Sequence, residues 1–273
     1  MAAELDALIA HFENLWPVEG AEEWDAPGLV VGSAKQRVSR VLLSVDVTNE
    51  ILDEAIDGGF DLILAHHPYL LKPINSVSED KAKGALVSKA IKAGISIYAA
   101  HTNADIVAAG VSDVLAKSLG ISNTRPLVSV GGANVGHGRI GELKSPITLG
   151  DFARQVSRVL PSTATGVRVA GDYEAEVRTI AVCGGAGDSF ISIAAEAGAD
   201  VYLTADLRHH PAQDAREQAL LNNNRPFLID VSHWASEWLW LEVAASQLQN
   251  FASDIQFVVS QVRTDPWDFV ITQ

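Results

Sequence analysis

Short aliphatic and β-branched runs alternate along this chain with stretches whose apolar positions recur every three to four residues, a pattern that predicts an α/β protein with buried sheets. Leu5, Ile9, Phe12 and Leu15 share one helical stripe, and Pro17, which has no amide hydrogen for a further turn, ends it. Val41-Leu42-Leu43-Ser44-Val45 reads as a strand. Thr48 follows as a helix N-cap, with Glu50 in the first turn and Ile51, Leu52, Ala55 and Ile56 as the buried face. Gly58-Gly59 ends that helix. The later chain repeats the plan with a strand over Thr179–Cys183, a glycine-rich turn, a helix over Ser189–Ala197 closed by Gly198, and a strand over Val201–Thr204. Trp234, Trp238 and Leu241 recur at helical spacing and predict a packed stripe behind His233.

Two apolar runs lead to the same tripeptide. Leu62-Ile63-Leu64-Ala65 precedes His66-His67-Pro68, and Val201-Tyr202-Leu203-Thr204 precedes His209-His210-Pro211. In each case a second run then stops at a histidine with a carboxylate four positions on. These are His101…Asp105 after Ile95-Ser96-Ile97-Tyr98, and His233…Glu237 after Phe227-Leu228-Ile229. The expected architecture is α/β, with two similar three-layer halves from an internal duplication and a metal site in the cleft between them. The first half spans residues 1–125 and carries His66, His67 and Asp105. The second spans 126–273, and its last part, from about 230, returns His233 and Glu237 to the shared site. The Gly- and Ser-containing segment Ser122–Pro146 is the expected junction.

Six of the eight histidines stand just past the C-terminal ends of apolar runs, the edge at which open α/β sheets place their sites. Imidazoles together with carboxylates at helical i,i+4 spacing are the donors that one or two divalent ions require. Adjacent residues of an extended chain point to opposite sides, so His66 and His67 would hold two neighbouring ions more readily than one. A carboxylate such as Glu237, the first catalytic candidate, can bridge such a pair, with Asp105 completing one coordination sphere. His101 is a second catalytic candidate, either as a further ligand or as a group that orients one. The mixed N/O donor set suits two ions of zinc, iron, manganese, cobalt or nickel without choosing among them.

Composition narrows the partners. With 20 Lys and Arg against 34 Asp and Glu, a net charge of −14 and no basic cluster, the chain lacks the electrostatic footprint of a nucleic-acid binder. Its apolar runs fall far short of the roughly 20 residues that cross a bilayer. Glu4, Asp6 and Glu13 break up any secretory-type start, so a cytoplasmic protein with a small-molecule substrate is expected. The single cysteine, Cys183, excludes an internal disulfide and a Cys-rich zinc site, and at the end of a predicted strand it reads as structural.

Six segments occur in a fixed order over nearly the whole chain. They are Trp24-Asp25-Ala26-Pro27-Gly28-Leu29 with Gly32, Ala65-His66-His67-Pro68, His101-Thr102-Asn103-Ala104-Asp105, Gly138-Arg139-Ile140-Gly141-Glu142-Leu143, Cys183-Gly184-Gly185-Ala186-Gly187, and Ser232-His233 with Glu237. As a set they resemble the Nif-three-like dinuclear metal centre family, whose members carry the name GTP cyclohydrolase I type 2 homologue. The resemblance implies a metal pair on His66, His67, Asp105, His233 and Glu237, and a ring-like homohexamer. Ala26-Pro27 departs from a more usual Asn-containing turn. The chain also lacks the extra domain that longer relatives insert, so no activity resting on that insert is expected.

Gly136-His137-Gly138-Arg139-Ile140-Gly141 has the glycine spacing of a dinucleotide fingerprint, but Ser145-Pro146 stands where that fingerprint needs a helix. A turn with positive φ is the expectation there. Gly184-Gly185-Ala186-Gly187 joins a strand to a helix whose first amides would hold an anion, the alternative being tight packing. Gly184, Gly185, Gly187, Arg208, His209 and His210 are accordingly the expected substrate-binding residues. The combined reading is a dinuclear-metal-dependent hydrolase of a small anionic heterocyclic or nucleotide-like substrate. Its alternatives are a two-metal phosphoesterase and a non-enzymatic metal-binding or regulatory scaffold. A zinc site of two cysteines and a histidine, as in the zinc-type cyclohydrolase, cannot be built from Cys183 alone.

Overall fold

The computed structural model describes residues 2–132 and 134–272. The chain forms two compact units, Met1–Ala104 with Leu241–Thr264, and Asp105–Trp240 with Asp265–Gln273. The expected boundary at 125/126 falls inside a strand, Ser122–Ser129, and the end of the chain is shared between the units.

The first unit contains β1 (Ala3–Glu4), α1 (Leu5–Leu15), β2 (Gly28–Val31), β3 (Arg37–Val38), β4 (Arg40–Ser44), α2 (Asn49–Asp57), β5 (Leu62–Ala65), α3 (Ala82–Ala93) and β6 (Ser96–Ala99). The one-turn helix α4 (Thr102–Asp105) ends at the division. The second unit contains α5 (Val111–Ser118), β7 (Ser122–Ser129), β8 (Gly136–Thr148), α6 (Leu149–Val159), β9 (Arg168–Ala170), β10 (Glu176–Ala186), α7 (Ile191–Glu196), β11 (Val201–Ala205), α8 (His209–Leu220) and β12 (Phe227–Val231). Helix α9 (His233–Phe251) leads from it back to β13 (Gln256–Val259) of the first unit.

The larger sheet of the first unit has the order β13-β4-β5-β6-β2, parallel except for the edge strand β2. Its register aligns Leu43, Leu64 and Tyr98, and every residue of β5 and β6 is buried, as expected for strands covered on both faces. Leu42, Ile51, Leu52, Ile63, Leu86 and Ile97 lie in one core. The expected helix ends hold. The buried stripe of α1 is Leu5, Leu8 and Phe12, with Ile9 and Leu15 half-buried beside it, and Ile56, expected on the buried face of α2, is exposed, while Thr48 Oγ1 accepts the Ile51 amide at 3.3 Å, a cap of about 1 kcal/mol.

The sheet of the second unit has the order β7-β8-β10-β11-β12-β9, in which β10, β11 and β12 are parallel and the flanking strands antiparallel. Two sequence expectations change here. The segment expected to join two domains is the antiparallel pair β7 and β8 (Ala133, between them, lies outside the described residues). Its glycines serve close approach, since a Cβ on Gly136 would stand 2.0 Å from the Val128 carbonyl oxygen. The expected helix over Ser189–Ala197 opens as a 3-10 turn, Asp188–Phe190, and only Ile191–Glu196 is α-helical. Among the described residues no helix is long and apolar enough to cross a membrane.

Candidate metal centre

In the first unit the parallel strands β5 and β6 end flush, Ala65 beside Ala99, and the histidines follow at once. The amides of His66 and His67 donate to the carbonyls of Ser44 and Val45, which carries both residues past the end of β4. The chain bends there, so the expected divergence of the two rings does not occur. Their centroids are 5.1 Å apart, and His101 lies 5.2 and 5.3 Å from them. One ligating atom from each of His66, His67 and His101 fits within 4.8 Å of the others. This places His101 with His66 and His67 in one candidate group.

Each ring is fixed from behind. His66 Nδ1 donates to the Ala100 carbonyl at 2.8 Å, His67 Nδ1 to Asp46 Oδ1 at 2.7 Å, and His101 Nδ1 to Asp25 Oδ1 at 2.7 Å. A carbonyl oxygen can only accept, so His66 must carry its proton on Nδ1, and its lone pair is on Nε2. Asp25 also accepts from the Thr102 amide at 3.0 Å and from the Thr102 hydroxyl. Burial opposes ionisation of Asp25, but the hydrogen bonds from His101 and Thr102 and the charge of His101 outweigh it and bring the carboxyl down to about 2. Asp46 is held in turn by the Thr264 hydroxyl at 2.5 Å.

The second unit repeats the device with a carboxylate added. His233 opens α9, and Glu237, one turn later on the same face, brings Oε1 to 3.0 Å from His233 Nε2. Asp206, held at φ +55°, a conformation that Asp tolerates better than most residues, accepts His233 Nδ1 at 2.7 Å. Burial opposes the imidazolium, but Glu237 and Asp206 on either side raise the His233 ring well above its ordinary value. Asp105 ends α4 in a partly buried position, beside the buried Arg139 in charge interaction.

The chain matches the model of the family described as Duf34/NIF3 (NGG1p interacting factor 3) over residues 3–266. The chain belongs to the DUF34/NIF3 family. It is 46% identical over 270 residues to the GTP cyclohydrolase 1 type 2 homolog of Streptomyces coelicolor, covering 96% of this chain and 93% of that one. The homolog of the same name from Clostridium perfringens is 32% identical over 273 residues, covering 98% of this chain and 100% of that one. Among solved structures, the Bacillus cereus protein related to NIF3 superposes with a TM-score of 0.89 at 28% identity, covering 98% of this chain and 99% of that one.

In this NIF3-family chain the expected anion cradle has other work. The Gly184 amide donates to Ser112 Oγ at 3.1 Å and the Gly185 amide to Ser236 Oγ at 2.9 Å, so neither points to a ligand. Gly185 has φ +68°, and a Cβ there would stand 2.5 Å from Glu237 Oε1 and 3.1 Å from His233 Nε2. Glycine is required so that the end of β10 can lie against His233 and Glu237. Gly187 is similarly crowded by the Thr204 and Tyr202 side-chain oxygens. Arg208 is exposed and pairs with Asp188, Nε to Oδ2 at 2.5 Å. His209 and His210 open α8 exposed, and they belong to no cluster of three ligating side chains among the described residues.

Cys183 is buried as expected, and burial, together with the charge of Asp105, pushes its thiol up to about 12. Sequence reasoning assigned no role to Asp25, Asp46 or Asp206, the acids behind the rings. A signal existed, because Asp46 and Asp206 stand within two residues of the ends of β4 and β11, the same edge that marks the histidines.

Proposed function

We propose that this protein is a dinuclear-metal-dependent hydrolase acting on a small anionic, heterocyclic or nucleotide-like substrate. The observation that carries the reading is the anchoring of all four candidate imidazoles through Nδ1 to oxygen acceptors, the arrangement that directs Nε2 to a cation. His66, His67, Asp105, His233 and Glu237 are the proposed ligands, with His101 beside them. The all-N/O donor set fits zinc, iron, manganese, cobalt or nickel, whereas the buried Cys183 thiol is a poor ligand for any of them. When bound, such ions supply Lewis acidity and lower the pKa of water at the site. Glu237 and His101 are the proposed catalytic residues, and Asp25, Asp46 and Asp206 would keep the rings from turning.

Trp24 supports a planar substrate. It is 59% exposed, and its ring stands 5.8 Å from that of His101 at 80°, an aromatic face next to the proposed chemistry. A homohexamer is part of the proposal and rests on the family resemblance. Metal-stripped protein should hydrolyse none of a panel of nucleotides, pterin-like heterocycles and phosphodiesters, and should regain turnover with added Mn2+ or Zn2+. Trp24→Ala should raise KM for ring-bearing substrates at least several-fold and spare a simple phosphodiester. Metal binding without turnover on any member would favour the scaffold reading.

A further inference from the structure

Glu237 is placed by a 19-residue helix, but Asp105, its counterpart four residues after a strand-end histidine, closes a helix of only four residues. The backbone that follows, 106–110, is irregular, with Ala109 at φ +59°. Something other than a helix must hold it.

Arg139 is 2% exposed, and its guanidinium is committed to backbone oxygens. Nη1 donates to the carbonyls of Gly136 and Gly138, each at 2.7 Å, and Nη2 to those of Ile106 and Val107 at 3.4 and 2.9 Å. The Gly136 amide donates to the Ile106 oxygen as well, at 2.9 Å. Asp113 closes the device, with one carboxylate oxygen 3.5 Å from Arg139 Nε and the other accepting the Ala109 amide at 2.8 Å and Lys117 Nζ at 2.7 Å. A planar fork with five donors can span two backbone segments in this way, and a lysine cannot.

We infer that Arg139 is a positioning residue for the proposed metal ligand Asp105, clamping Ile106 and Val107 to β8 and so doing for Asp105 what α9 does for Glu237. The inference rests on the metal-site reading above.

The test is metal stoichiometry by elemental analysis, with Mn2+ titration of stripped protein, for wild type, Arg139→Ala and Arg139→Lys. Lysine keeps the charge beside Asp113 and serves where the alanine variant fails to fold. Wild type should hold two ions, and each variant should bind one of them about 10–100-fold more weakly, the usual scale for losing a partner behind a ligand. A cavity of about 220 Å3 lined by Asp113, Lys117, Asn134 and Arg139 gives small molecules access, so ethylguanidinium should restore the lost ion to Arg139→Ala and methylammonium should not. Val156→Ala, which deletes buried volume in the same unit, should lower Tm and leave both ions in place. A wild type without metal would overturn the site itself. Two ions held with unchanged affinity by both Arg139 variants, or loss that guanidinium does not rescue, would overturn the positioning role and leave the site standing.

Discussion

The parallel cores of the two units, β4-β5-β6 and β10-β11-β12, share one plan, yet they load the same strand ends differently. Each is a strand-helix-strand-helix-strand run with an antiparallel edge strand, β2 or β9, beside its last member. In the first, Ala65 pairs with Ala99, and in the second Ala205 pairs with Val231. Counting outward from those pairs, His101 corresponds to His233, and Asp105 to Glu237. His66 and His67 correspond to Asp206 and Leu207, and not to His209 and His210. The repeated His-His-Pro tripeptide is therefore out of register by three residues in the second unit, enough to move it from the strand end into the start of α8, where it is exposed. The residue that does occupy the strand end, Asp206, holds the ring of His233. Distance from the strand end, more than residue type, separates a candidate ligand from a surface histidine.

The largest effect should come from substituting the counterparts themselves. Glu237→Ala should abolish binding of both ions, His101→Ala should lose metal only in part, and the double variant His209→Ala/His210→Ala should keep the wild-type content by elemental analysis. Metal loss from the His209/His210 variant equal to that of Glu237→Ala would break the register argument.

Glycines offer a second contrast. Gly185 and Gly94 have nearly the same backbone φ, +68° and +70°, but a Cβ at Gly185 meets Glu237 and His233 while at Gly94 it meets nothing within 4 Å. Gly94→Ala should cost about 1 kcal/mol in urea melts from backbone strain alone and leave metal binding unchanged. Gly185→Ala should cost more, and it should also displace Glu237 and cut metal affinity at least tenfold. Equal behaviour of the two would mean that the β10 end does not shape the site.

A third contrast, confined to stability, concerns the acids behind the rings. The carboxyl of Asp25 drops from 3.8 to about 2 on folding. A depressed folded value adds stability that is complete above the unfolded value and is lost as pH falls through the folded one, here between about pH 4 and 2. In metal-stripped protein Asp25→Asn should therefore be about 2 kcal/mol less stable at pH 7 and lose less stability over that window. Parallel stability curves for the two proteins across pH 2–4 would contradict the assignment.

Local features of the chain were enough to place the elements and the donors. Apolar runs of four or five residues became the buried strands β4, β5, β6, β11 and β12, Thr48 became a cap, and the i,i+4 pair His233 and Glu237 fell on one helix face, because these features depend on local periodicity and one-turn geometry. Tertiary structure decided the rest. Asp25 lies 76 residues from His101, Asp46 21 from His67, and Arg139 32 and 33 from the carbonyls of Val107 and Ile106, separations at which no periodicity in the chain carries information. The glycines at 184–185 show the same limit. Their composition suits an anion loop or a tight contact equally well, and only the neighbours brought in by folding, Ser112, Ser236, His233 and Glu237, select the contact.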